Sequence, residues 1–464
     1  MKTSWKHSTK LSIPAMVVTS LLGCAVGPNY EAPVMVADIP FTSPYEQAEQ
    51  AQNWWQAFDD ATLNQLIDRA MAENRTLLQA RANVDRAYAV FRDTRSNRFP
   101  QGSLGMGYEV SENATLAAGD DGVITRGYST GASLSWDLDL FGRLRRAAEA
   151  AEAQAHQADI LWHDAQVQLI SQVATSYGEY RGAQLRLLVA EQNLENLQQS
   201  RTIVQARLEV GMASELELAQ IDVQVYQVQA SVPDYREALL VADATLSALL
   251  ALQPGQLELS SDPQLPGLKH PVAVVESENY LRYRADVALA ERLLAQRTAE
   301  IGVATADLYP NLSVNGFLGF ISGPGLTLGS DTQSWALAPT LTWQAANLRS
   351  VRARIQQAEA SSTIALAQFE QQIFDAINEM QLALRSYNLS REQELSTQRQ
   401  WEAGNTAVRI ARERYDAGSG EFINLLDAER ELLRAQEQLA LLQQQSFTRL
   451  VNIYRSFGGG IQLI

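Results

Sequence analysis

The sequence predicts a mainly α-helical chain with a small β part, built as two tandem repeats of helix, β-strand pair and long coiled-coil helical hairpin. Three observations carry this reading. The chain matches itself at a held offset of 207: Leu134 meets Leu341, Trp136 meets Trp343, Arg145 meets Arg352, Arg207 meets Arg414, Gly211 meets Gly418 and Leu218 meets Leu425. Upstream the offset is 210, where Phe99-Pro100 meets Tyr309-Pro310, Ser103 meets Ser313 and Ala80 meets Ala290, so one loop between each Pro and the next Trp differs in length. Each repeat also holds a pair of strand-like segments, and each holds a segment of 67 or 68 residues without proline.

Taken in order, residues 1–23 have the layout of a secretory signal. Lys2, Lys6 and Lys10 form a basic head, Leu11 to Leu22 an apolar run, and Leu21-Leu22-Gly23-Cys24 a small-residue cleavage site. The run is too short for a transmembrane span. Leu-Leu-Gly-Cys resembles a bacterial lipobox, so Cys24 is expected to become the first mature residue and to carry lipid. Each buried methylene of an acyl chain contributes roughly 0.8 kcal/mol to membrane attachment. Cys24 is also the only cysteine, which excludes an intramolecular disulfide framework and a cysteine-based zinc site. Residues 24–60 are expected to run as an extended segment toward the first helix.

Charge narrows the partners. The net charge is −16, and loss of a leader with three lysines and no acid makes the mature chain more acidic still. Such a chain is a poor ligand for nucleic acid. No run of 18 apolar residues follows Cys24, so a membrane crossing would have to be made by strands.

Repeat 1 is assigned to 61–260, with its strand pair at about 101–140. Leu104, Met106, Tyr108 and Val110 alternate with Ser103, Gly105, Gly107 and Glu109. Leu134, Trp136, Leu138 and Leu140 alternate with Ser133, Ser135, Asp137 and Asp139. One apolar face and one polar face suit a sheet between lipid and water; they equally suit a half-buried sheet in a soluble protein. On this reading Asp137 and Asp139 share the polar strand face. Repeat 2 occupies 261–464, with strands at about 311–345, of which Leu312–Ile321 alternates poorly. Four strands cannot close a barrel, and open edges are not tolerated in lipid, so a membrane sheet of this kind requires several chains.

The hairpins are placed at about 143–252 and 349–457. Residues 143–209 and 349–416 are rich in Ala, Gln, Leu, Arg and Glu, with apolar residues every three or four positions; as helix each would span roughly 100 Å. Gly178 and Gly182 are the only glycines of the first, Gly404 that of the second. Each long segment breaks at a glycine turn, "VGMASE" or "AGSGEF", and returns through a helix of about 38 residues. Pro233 is expected to kink the first return. Four histidines (His7, His156, His163, His270) make no metal-binding pattern, and there is no phosphate-binding glycine loop or nucleophile elbow. The sequence thus gives no catalytic, cofactor-binding or metal residue.

"CAVGPNYEAP" (24–33), "NWWQAFDDATLNQLIDRAMAENRTLLQARANVDRA" (53–87) and "RYDAGSGEFINLLDAERELLRAQ" (414–436) resemble the TolC-like outer membrane efflux proteins, in the lipoprotein branch of the OprM/NodT type. The resemblance extends to "YRSFGGG" and covers the mature chain. Arg284-Ala285-Asp286 departs from the family's usual Arg-Pro-Asp, which should relax one helix start. The resemblance implies a homotrimer whose twelve pooled strands form an outer membrane β-barrel, continued by a periplasmic α-helical barrel. It implies no enzyme activity and no cofactor beyond lipid on Cys24 (N-palmitoyl and S-diacylglycerol). The implied function is the passive exit duct of a tripartite efflux pump for drugs or other small toxic compounds in a Gram-negative bacterium. A periplasmic membrane-fusion adaptor and an inner-membrane RND pump are the implied partners, beside outer membrane lipid. Ala25, where an inner-membrane-retained lipoprotein carries Asp, favours the outer membrane. Ile423 and Asp427, four residues apart on one helix face, match the family's periplasmic gate, and Tyr415 and Arg430 match residues that bond neighbouring hairpins. Asp427 and Arg430 equally fit an ordinary surface pair, and Gln220 is the counterpart of Asp427 in repeat 1. Gly211, Met212, Ala213, Ser214, Gly418, Ser419, Gly420 and Glu421 are the expected adaptor-docking tips. Two alternatives share these features in part: the exit duct of a type I secretion system, and a structural periplasmic coiled-coil lipoprotein without a pore.

Overall fold

The computed structural model describes residues 25–33, 46–47, 53–113, 123–260, 263–267, 273–274, 280–325 and 328–459. The leader, Cys24 and His270 lie outside the described residues. In chain order the elements are α1 (Ala61–Glu73), α2 (Arg75–Ser96), β1 (Gln101–Asn113), β2 (Val123–Asp137), α3 (Arg143–Glu209), α4 (Glu215–Leu249), α5 (Ala285–Ala306), β3 (Asn311–Ser322), β4 (Gln333–Thr342), α6 (Leu348–Asp416) and α7 (Phe422–Ser456).

The proline-free segments are continuous helices of 67 and 69 residues, α3 and α6. Each return, α4 and α7, has 35 residues. Pro233 does not interrupt α4, which stays helical through it; the ring sits on an exposed side and costs one backbone hydrogen bond there. The strands are shorter than expected. β2 stops at Asp137, so Leu138, Asp139 and Leu140 are not strand residues. Asp139 is not on a strand face: its carboxylate accepts from the backbone N–H of Leu144 (2.9 Å) and Arg145 (2.8 Å), capping the first turn of α3. Alternation alone could not separate a strand residue from a cap placed just beyond it.

The described chain forms two compact units, each drawn from both halves of the sequence: residues 1–34, 83–159 and 289–370, and residues 35–82, 160–288 and 371–464. The first holds a four-stranded antiparallel sheet in the order β1-β2-β3-β4. Its neighbours pair without a bulge from Gln101↔Ser135 to Asn113↔Val123, from Tyr128↔Ser322 to Asp137↔Ser313, and from Asn311↔Thr342 to Phe320↔Gln333. Two indoles tie the sheet to the segments leading into it. Trp136 Nε1 donates to the Arg98 carbonyl and Trp343 Nε1 to the Leu308 carbonyl, each at 3.1 Å.

The second unit packs helices around aromatic residues of the "NWWQAFDD" segment. Trp54 is buried and stacks on Tyr454 with centroids 4.7 Å apart; Phe58 meets Phe447 at 5.1 Å. Asp60 caps α1 through the N–H groups of Thr62 and Leu63. Its other oxygen accepts from the Tyr177 hydroxyl at 2.8 Å. Burial pushes that hydroxyl up to about 12, so it stays a donor across the physiological range. Gly178 lies against the Phe447 ring, where a larger side chain would displace it. Arg284 is buried and saturated: Asp286 accepts two of its N–H groups (2.9 and 2.6 Å), Glu379 one (2.7 Å) and the Ser456 carbonyl another (2.6 Å).

This network holds the start of α5 although Ala285 stands at the first helical position, where proline is preferred. Ala285→Pro should therefore stabilise the protein by about 0.4–1 kcal/mol through the unfolded chain. Thermal unfolding in detergent would show the gain; a lowered midpoint would mean that the Arg284 contacts do not tolerate the ring.

Candidate membrane face and hairpin gate

Residues directly opposite in an antiparallel sheet share a face. The register therefore gathers Leu104, Met106, Tyr108, Val110, Ala132, Leu134, Trp136, Leu312, Val314, Leu318, Phe320, Trp335, Leu337 and Leu341 on one side. The poor alternation of Leu312–Ile321 reduces to two residues on the other face, Phe317 and Ile321. Phe317 is accommodated by Gly131 and Gly319, where a Cβ would come within 3.0 and 2.9 Å of its ring. That second face is otherwise small or polar, with Ser103, Gly105, Gly107, Ser133, Ser135, Ser313, Asn315 and Thr340.

The apolar face is bare in the single chain: Leu104 is 88 % exposed, Trp335 75 % and Leu337 65 %. Its ends are marked by aromatics. Trp136 and Trp343 stand at one end, Tyr108 and Tyr128 at the other, with centroids 4.6 Å apart. From Trp136 to Arg126, the first charge along β2 on this face, ten residues span about 33 Å. A tilt of about 40° reduces this to about 25 Å, the height of an outer membrane apolar band. Among the described residues no helix is long and apolar enough to cross a membrane.

The hairpin tips are built alike. At the end of α3, Gly211 takes positive φ (74°) and donates to the Leu208 carbonyl, while Met212 donates to the Arg207 carbonyl. At the end of α6, Gly418 (φ 67°) donates to Tyr415 and Ser419 to Arg414. Both are Schellman closures, which need a left-handed residue at that position. The returns start differently. Ser214 and Glu217 form a reciprocal capping box, whereas Glu421 makes no side-chain cap. Of the eight expected docking residues Ala213 packs partly against the core and Gly420 is half-buried; the others are exposed, Met212 most plainly at 76 %.

Tyr415 is set apart from the other three expected gate residues. Ile423 and Asp427 are exposed on α7, and Asp427 accepts from Arg430 at 3.5 Å. Tyr415 is buried among Ile221, Phe422, Leu425 and Leu426. Its ring carries the Arg207 guanidinium at 4.2 Å, its carbonyl accepts from Arg207 at 3.4 Å, and its hydroxyl has no hydrogen-bond partner among the described residues. Arg207 also reaches Asp416 at 3.5 Å. Sequence reading used Arg207 only as a repeat marker. It likewise missed two staples: Arg201–Asp222 across the first hairpin, and Arg412–Glu429, at 2.7 Å, across the second. The signal was present, since Asp222 and Glu429 are themselves 207 apart.

A sheet with one lipid-compatible face and two edges unpaired among the described residues, joined to long helical hairpins, defines the class: a protein that meets a membrane through strands. The sequence profile of the family described as outer membrane efflux protein matches residues 66–252 and 277–459, and the chain belongs to that family. It is thus an efflux channel protein of the outer membrane, in a family of transport proteins. The solved structure of the outer-membrane channel OprN is similar with a TM-score of 0.90 and 36% identity, covering 94% of this chain and 99% of that one. The probable efflux pump outer membrane protein TtgC of Pseudomonas putida is 30% identical over 464 residues, 97% of this chain and 96% of that protein. Outer membrane protein OprJ of Pseudomonas aeruginosa is 28% identical over 461 residues, 97% and 95% of the two chains.

Burial pushes the Glu429 carboxyl up, against the pull of Arg412. The folded hairpin then holds this proton more tightly than the unfolded chain, so the group's contribution to stability is fully present below the ordinary glutamate range and is lost as pH rises through its raised value. Hydrogen exchange across α6 and α7, followed upward from about pH 4, should show protection falling with pH, beyond the intrinsic rate. Glu429→Gln should flatten that trend; an unchanged slope would assign it to another group.

Proposed function

We propose that three copies pool their sheets into a twelve-stranded outer membrane barrel, continued by a periplasmic tunnel of their helical hairpins. One observation supports this above the rest: a four-stranded sheet with an apolar face ends in unpaired strands β1 and β4. Because strand directions alternate through an even number, β4 of one copy can meet β1 of the next antiparallel, and the closed ring keeps one direction rule throughout. Closure removes every edge, which lipid demands. The two tandem repeats, 61–260 and 261–464, would each contribute one strand pair and one hairpin.

In this reading the protein is the passive exit duct of a tripartite efflux pump, receiving drugs or other small toxic compounds from an inner-membrane RND pump through a periplasmic adaptor. The adaptor would dock on the tips at Gly211–Ser214 and Gly418–Glu421. Ile423 would form an apolar constriction around the threefold axis, and Asp427 a ring of three carboxylates that favours cations. Arg430 would hold Asp427 in the closed state, and buried Tyr415 would fix the hairpin that carries both. Lipid on Cys24 would tether each copy before assembly.

Planar bilayer recording of the purified trimer tests the duct. Closed channels of small conductance are expected, and Asp427→Ala should raise conductance or lower cation selectivity. Absence of any conductance, even from Asp427→Ala combined with Arg430→Ala, would overturn the reading. Radioactive palmitate should label the parental protein, and Cys24→Ser should abolish that label; a labelled serine variant would place the lipid elsewhere.

A further inference from the structure

The first described residues, 25–30, are clasped by two segments far away in sequence, all within the sheet-bearing unit. Val26 donates its N–H to the Phe141 carbonyl at 3.1 Å. Arg146, only 5% exposed, gathers three acceptors from this segment: the Val26 carbonyl (3.2 Å), the Gly27 carbonyl (3.3 Å) and Asn29 Oδ1 (2.8 Å). Glu149 accepts from the remaining Arg146 nitrogen at 2.7 Å and fixes its direction. Tyr30 donates to Glu291 on α5 at 2.9 Å.

Shape reinforces the polar contacts. Gly27, at φ 88°, lies on Gly302 so closely that a Cβ on it would sit 2.5 Å from the Gly302 Cα. Gly302 in turn leaves room for the Arg146 side chain, and Gly142, at φ 78°, for Ala25. Three glycines from separate segments thus permit a fit that no larger residue allows. A buried guanidinium whose acceptors lie 117 to 120 residues away is a built receptor for one short peptide.

We propose that Arg146, Gly142, Gly302 and Glu291 form an internal docking groove for residues 25–30, a latch that holds the lipid-bearing N-terminus at the junction of sheet and long helix. Ala25 lies against Gly142, six residues beyond the rim indole of Trp136 near the end of β2. The acyl chains on the preceding residue are thereby delivered beside the apolar face that must enter the bilayer. This role rests on the lipid reading of Cys24, whereas the clasp stands on the contacts above.

Hydrogen exchange and assembly kinetics of the full chain test both parts. Arg146→Ala should speed exchange of the Val26 amide by about tenfold or more, as expected for loss of a charged donor. Palmitate label should be kept, and heat-resistant trimer should appear several-fold more slowly. Asn29→Ala, an exposed change that spares the fold, should give the same effects more weakly. A flexible spacer of about six residues between Cys24 and Ala25, reaching about 13 Å, should slow assembly while leaving the Val26 amide protected. Unchanged protection in both Arg146→Ala and Asn29→Ala would overturn the clasp. Parental assembly rates with the spacer would overturn the delivery role. A parental protein without palmitate label would sink the lipid reading and delivery together, leaving the clasp to be judged by exchange alone.

Discussion

Unpaired backbone at the two edges of the sheet is the constraint on which the rest of this protein depends. β1 and β4 each present a row of N–H and C=O groups with no neighbouring strand among the described residues. In water such an edge is a hazard; in hydrocarbon each unmet group costs several kcal/mol. The apolar face compounds the demand, because residues such as Leu104 and Trp335 are bare in one chain. One subunit can satisfy neither requirement by itself; in the proposed barrel, membrane insertion and association of copies would be a single event. Side chains adapt to that event: the face that would line a lumen is small and polar, while the indoles at the rim spend their N–H groups on carbonyls of their own chain.

The two hairpins are closed alike at their turns and start their returns differently. Asp222 and Glu429 occupy equivalent positions and each staples its hairpin to an arginine of the long helix. The Schellman closures at Gly211 and Gly418 are likewise equivalent. Beyond the turns the copies part: a full capping box at Ser214 against none at Glu421, and Gln220 where the second copy has Asp427. The arginines of the two staples, Arg201 and Arg412, stand at different positions along their long helices, so only the acid ends of the staples correspond.

Periodic features were legible in the sequence because they depend on neighbours in the chain. Proline-free length located α3 to the residue, alternation located β1 and β2, and the offset of 207 aligned the two tips. What stayed hidden depends on distant partners. Asp139 looks like one more alternating residue until the end of β2 is known. Arg207 looks like a repeat marker until Tyr415 is found beneath it, 208 residues on. The expected grouping of Tyr415 with Ile423, Asp427 and Arg430 came from the family resemblance, and within the single chain the Tyr415 side chain turns into the core. Likewise "CAVGPNY" reads as the start of an extended segment, and only the structure shows why it contains Gly27 and Asn29: both serve Arg146.

The contrast between buried and exposed contacts at the tips bears on how a gate could work. The Arg207–Tyr415 stack is partly desolvated, a geometry in which such pairs contribute about 1–2 kcal/mol, and it belongs to a core that includes Ile221, Leu425 and Leu426. Asp427–Arg430 is an exposed pair at 3.5 Å, worth about 0.2–0.5 kcal/mol within a helix and weakened by salt. Coupling between a docking event and a channel amounts typically to about 1–3 kcal/mol. That is enough to exchange exposed pairs for contacts with a partner and too little to dismantle a packed core with its staples. A gate made from these parts therefore moves its hairpin as one body: the buried Tyr415 keeps the tip intact while the polar contacts on α7 change partners.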